Sequence, residues 1–224
     1  MKRQSSACIF LAICLFIAFV VWTILVCIFD VMAIGPKDSS VGFATLNEFV
    51  HRLTGVNMAL YIVTDWLGLF PFAVALGFAI FGFIQLIKRK SIFKVDFSIL
   101  ILGVFYIVVF SVYILFEYVV INYRPILING ILEASYPSST TMLVSCVMPT
   151  ALIQFNARIK NKGIRKFVVC VISTFTAFMI VGRFISGVHW FSDIIGGLLF
   201  SSSLVLAYFY ICRDELNKLK NLSN

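Results

Sequence analysis

An all-α membrane protein is the fold this sequence predicts: a bundle of six transmembrane helices with one short amphipathic helix on the outer surface. Three observations predict it. Of 224 residues, 61% are hydrophobic and only 12% charged, with a mean hydropathy of +1.03, and a soluble core of this size cannot cover so much apolar surface. Apolar runs near the roughly 20 residues needed to cross a bilayer fall at about 7–34, 67–87, 97–121, 138–156, 167–186 and 190–212. Finally, the basic residues flank these runs and form no separate block. The chain reads as one domain, 1–224.

A net charge of +8 therefore reports topology and does not point to nucleic acid as a partner. Lys2 and Arg3 precede the first run, and Lys88, Arg89, Lys90 and Lys94 follow the second. Arg158, Lys160, Lys162, Arg165 and Lys166 join the fourth to the fifth, and Arg213, Lys218 and Lys220 close the chain. The alternate connections hold only Lys37, Arg52, Arg124 and Arg183. The positive-inside rule then puts both termini in the cytoplasm of a multi-pass plasma-membrane protein. The six cysteines lie within or beside the apolar runs without CxxC or metal spacing, so disulfides and zinc are not expected.

Taken in order, the first run is too long for a signal-peptide core of roughly 7–15 residues and reads as a retained span. GPKDSS at 35–40 is a turn. Phe43, Leu46, Phe49, Val50 and Leu53 then recur at helical intervals, with Asn47, Glu48, His51 and Arg52 between them. This pattern predicts a surface amphipathic helix. Thr64, Asp65 and Trp66 precede the second span, which Gly68 and Pro71 break or kink at its start. The third ends in EYVVINYRP, which carries Glu117 and Arg124. PSST at 137–140 begins the fourth, with proline in the first turn and Ser138 placed to cap. Gly196, Gly197 and Ser201 to Ser203 are helix-packing positions in the sixth.

The chemistry concentrates in GRFISGVHWFSDIIGG, Gly182 to Gly197, where Arg183, His189 and Asp193 interrupt an apolar stretch. If His189 begins a helix, Asp193 lies one turn on, where its carboxylate can bond one imidazole nitrogen and leave the other free. Arg183 can fold back and offer a planar fork of donors to an anion. Arg124, the PSST start and the Arg183–His189 turn all come to one membrane surface, the outer one, and together they suggest phosphate chemistry.

The spacing of Arg183, His189 and Asp193 resembles the third signature, SRxxxxxHxxxD, of the type 2 phosphatidic acid phosphatase (PAP2) and haloperoxidase superfamily, with Gly182 in place of the serine. Arg124-Pro125 matches the end of its first signature, KxxxxxxRP, but Glu117 stands where the lysine belongs. PSST stands in place of PSGH, so Thr140 replaces a histidine thought to protonate the leaving oxygen. The motif region runs over about 117–197.

The resemblance implies a PAP2-type bundle in which the surface helix helps form the substrate entrance. It implies that His189 attacks phosphorus, that Asp193 holds its tautomer, and that Arg124, Arg183, Ser138 and Ser139 bind the phosphate. Glu117 becomes an arginine's structural partner or, like Thr140, a position to ask about the missing proton. The expected substrate is a lipid phosphate or diphosphate, with an isoprenoid diphosphate favoured because its leaving group departs unprotonated. No cofactor is implied, and the sequence does not give the oligomeric state. The alternative is a catalytically impaired lipid-phosphate binder.

Overall fold

The computed structural model describes residues 2–223, with the side chains of 2–5, 222 and 223 outside the described set; the latter include the proposed topology markers Lys2 and Arg3. Its helices are α1 (Lys2–Ile28), α2 (Ala44–Thr54), α3 (Met58–Leu67), α4 (Leu69–Arg89), α5 (Phe97–Tyr118), α6 (Ser139–Arg158), α7 (Lys162–Ile185) and α8 (Phe191–Ser223). Among the described residues, six segments are long and apolar enough to cross a membrane, α3 and α4 together making one of them.

The second span starts earlier than the apolar run suggests. Thr64 and Asp65 lie inside α3, and this helix carries the Thr64 hydroxyl into the bundle while Asp65 stays exposed. The turn at Gly68 bonds back to the carbonyls of Thr64 and Asp65, both at 3.0 Å, and α4 begins directly after it. The short surface helix is α2, and its faces are arranged for an interface. Leu46, Phe49 and Leu53 are exposed, whereas Asn47 is buried and exchanges hydrogen bonds with Ser192 at 2.9 and 3.0 Å. That exchange anchors α2 to the start of α8.

α6 is the central helix: 61% of its span is buried, against 17–39% for the others. It packs mainly on α7 and α8, while α1 lies along α8. Small residues allow the close approach. A side chain at Gly196 would meet the Tyr136 ring at 2.6 Å, and Ser201 Oγ donates to the Met142 carbonyl across the α6–α8 contact at 3.1 Å. Such contacts suit helices in lipid, where burial from water gives little drive for association.

A polar clamp closes the bundle at the end where α4 and α6 finish. Asp96 accepts from Arg89 at 2.8 Å, from Arg158 at 2.7 Å and from Gln85 at 3.0 Å. Glu215 of α8 takes the N–H groups of Phe97 and Ser98 at the start of α5, at 2.9 and 2.5 Å, a carboxylate on a positive helix end. Burial pushes the Asp96 carboxyl up, but its bonds from Arg89, Gln85 and Arg158 outweigh that and hold it below the usual carboxylate value. Its stabilisation is therefore present above the unfolded carboxylate pKa and lost as pH falls through the lowered one. Asp96→Asn is expected to destabilise the detergent-solubilised protein by about 2 kcal/mol, read as a lower midpoint of thermal unfolding. The His189 imidazole resonance, at the other end of the bundle, should not change.

Candidate active site

His189 lies in the turn between α7 and α8. Gly187 makes that turn possible: its φ is +66°, and a Cβ there would come within 1.8 Å of the Gly55 carbonyl oxygen. Trp190 is the residue before α8, and Asp193, in the first turn, reaches back to accept the Trp190 N–H at 2.9 Å, the acidic half of a capping box. Asp193 Oδ1 accepts from Asn122 at 3.2 Å.

The direct bond from Asp193 to the imidazole, expected from four-residue spacing, is absent: Oδ2 is 3.9 Å from Nδ1, beyond hydrogen-bonding range. The reason is local. His189 precedes the helix, so helical spacing does not govern the pair, and the carboxylate is turned toward the cap. Ser135 fills the gap, with its Oγ donating to Asp193 Oδ2 at 2.5 Å and lying 3.0 Å from His189 Nδ1.

The tautomer follows from the partners. Nδ1 is also 3.2 Å from the Ser135 carbonyl oxygen, which can only accept, and the Ser135 hydroxyl proton already belongs to Asp193. Nδ1 therefore carries the proton and Nε2 a lone pair. Nε2 is buried and has no hydrogen-bond partner. Burial first, then the charges of Arg124 and Arg183, push the imidazole well below its ordinary value of 6.5.

Arg183, in the last turn of α7, is 1% exposed. It donates to Thr64 Oγ1 at 3.3 Å and to Asp65 at 3.1 Å, and its guanidinium lies 4.9 Å from the centre of the Tyr61 ring. Arg124 stands over the same ring at 5.8 Å, and its Nε is 3.2 Å from the Glu133 carboxylate. Even so, Arg124 Nε and Nη1 and Arg183 Nε are buried without a hydrogen bond; the Glu133 contact is an ion pair without hydrogen-bond alignment. Sequence reasoning missed Tyr61, Thr64, Ser135, Asn122 and Glu133. The only signal was the polar pair Thr64-Asp65 set four and three residues before Gly68.

A family model described as the PAP2 superfamily matches residues 117–216, which span Arg124, Ser135, Arg183, His189 and Asp193. Over these residues the chain is similar to the PAP2 superfamily. The structure is also similar to that of a transmembrane PAP2-type phosphatidylglycerolphosphate phosphatase from Bacillus subtilis, with a TM-score of 0.58 and 19% identity over 91% of this chain and 96% of that one. No curated protein matches the chain.

Against the PAP2 signatures, each departure has a structural setting. A side chain at Gly182, where the family has serine, would sit 2.9 Å from the Thr64 methyl, so glycine lets α3 press on α7 and deliver Tyr61, Thr64 and Asp65. Glu117 is not on a common helix face with Arg124, because α5 stops at Tyr118. It is exposed, and Glu133 takes its expected place as arginine partner. Ser138 does not cap with its side chain. Its hydroxyl goes to Thr141 at 3.0 Å and its N–H to the Asp193 carbonyl at 3.1 Å, so in this conformation it has no donor left for phosphate. Ser139 lines a small cleft shared with Ser135 and Glu117. The Thr140 methyl lies beside Gly68. Among the described residues, no group of three His, Cys, Asp or Glu is placed to hold a metal.

Two outcomes test this electrostatic arrangement. A histidine with a depressed pKa is neutral down to below 6.5, and its contribution to folding is lost as pH falls through the lowered value. Arg124→Gln removes one of the charges that depress it, so the His189 imidazole resonance should titrate at higher pH than in the wild type; an equal or lower midpoint would contradict the assigned cause. Asp65→Asn removes the carboxylate that competes for Arg183. Binding of orthovanadate should tighten about 2- to 5-fold, the range for a partly exposed pair, and weaker binding would mean that Asp65 does not compete for Arg183.

Proposed function

We propose that this protein is a membrane lipid phosphatase that acts through a phosphohistidine on the outer face of the plasma membrane. One observation carries the reading. Three arginine nitrogens and His189 Nε2, from separate segments, are buried without hydrogen bonds. A buried polar group left unpaired is costly, and a tetrahedral anion supplies the acceptors these donors lack while placing phosphorus before the one lone pair among them.

Nε2 attacks phosphorus, the N–P bond forms as the bond to the leaving oxygen breaks, and Arg124 and Arg183 offset charge on the non-bridging oxygens. Ser139 and the first-turn N–H groups of α6 add donors. Water then attacks phosphorus, the N–P bond breaks and its electron pair returns to Nε2. Thr140, an alcohol, is too weak an acid to protonate a leaving alkoxide near neutral pH. A lipid diphosphate avoids that step because its lipid monophosphate leaves as a stable anion. The basic ends of α4, α6 and α8 support the orientation with both termini in the cytoplasm.

The pairing of Arg183 with Asp65 and Arg124 with Glu133 favours a second reading, a lipid-phosphate binder with impaired turnover. Purified protein in detergent decides between them. The wild type should release phosphate from an isoprenyl diphosphate faster than from phosphatidic acid, and His189→Ala should lower that rate at least about 100-fold. Faster release from phosphatidic acid would remove the substrate preference, and absence of release from both would leave the binder.

A further inference from the structure

We propose that Ser135 is a positioning residue that couples Asp193 to His189, so that the histidine is oriented through a hydroxyl and not directly by the carboxylate. The proposal rests on the reading of His189 as the nucleophile. Ser135 is 2% exposed and joins two groups that do not otherwise bond: Oγ is 2.5 Å from Asp193 Oδ2 and 3.0 Å from His189 Nδ1, across a 3.9 Å gap. Its single hydroxyl proton goes to the carboxylate and its lone pair faces the imidazole N–H. The chain of donors runs one way, Nδ1–H to Oγ–H to Oδ2.

When Nε2 bonds to phosphorus the ring becomes cationic and Nδ1–H a stronger donor. The hydroxyl, polarised by the carboxylate behind it, meets that change without any hydrogen changing owner.

Ser135 also sits where it can register the histidine against an arginine. Residues 122–124 and 133–135 form a short antiparallel ribbon. Ser135 N–H donates to Asn122 O at 2.9 Å, Arg124 N–H to Glu133 O at 3.1 Å, and Tyr123 bridges Ala134. The same ribbon therefore holds Arg124, Asn122, which bonds Asp193 Oδ1 at 3.2 Å, and the hydroxyl that holds His189. Trp190 Nε1 fastens it to the start of α8 by donating to Tyr123 O at 2.7 Å.

The test uses full-length protein in detergent. Ser135→Ala should lower kcat about 10- to 100-fold, as for loss of a hydrogen bond to a charged group, with KM unchanged. If Asp193 acts through Ser135, then Asp193→Asn should cost little more in the Ser135→Ala background; losses that multiply, or a wild-type kcat in Ser135→Ala, would overturn the coupling. Should alanine not fold, Ser135→Cys, similar in size with a weak thiol, replaces it with the same expectation.

A readout free of turnover separates this proposal from the phosphatase reading. The chain has two histidines, so nitrogen-15 imidazole spectra are assignable with His51→Gln. Loss of the hydroxyl should shift the His189 Nδ1–H resonance even if the wild type hydrolyses nothing. An unmoved resonance would sink the proposal whatever the enzyme does.

Discussion

Two guanidinium groups held inside a membrane protein are the constraint on which the rest of this structure depends. Arg183 is almost wholly enclosed and Arg124 nearly so, and a charge taken out of water is tolerated only with partners close by. The fold supplies them from several segments. Tyr61 puts its ring face toward both arginines, Asp65 comes from α3, and Glu133 comes from the loop after α5. None satisfies its arginine completely. The donors that remain unpaired lie near a neutral, lone-pair-bearing His189, and the proposed anion site rests on them.

The other end of the bundle is closed by complete polar pairing. There Asp96, Arg89, Arg158 and Gln85 answer one another, and Glu215 answers the start of α5. The two polar assemblies differ in completeness and therefore in use. At the clamp each carboxylate has its donors and holds helices together. At the site the donors outnumber the acceptors.

Close backbone approach links the two purposes. Gly182 lets Thr64 rest on α7, Gly187 lets the chain around Gly55 rest on the histidine turn, and Gly196 receives the Tyr136 ring. Each contact brings a segment without a catalytic signature against one that has it. The glycine in place of serine before Arg183 is thus tied to α3, which brings the groups that pair with that arginine.

Helix count, the amphipathic α2 and the common end reached by Arg124, PSST, Arg183 and His189 were legible in the sequence, because bilayer thickness and loop charge constrain a chain locally, one segment at a time. The trio at 183, 189 and 193 was legible for the same reason: polar residues in an apolar run announce themselves. Only the tertiary structure decided what those residues touch. Asp193 faces its own helix start and a serine 58 positions away, not the imidazole. Ser138 is spent on Thr141, and Arg124 pairs with Glu133 and not Glu117. Hydrogen-bond partners depend on how distant segments pack, and no spacing within one helix records the approach of another.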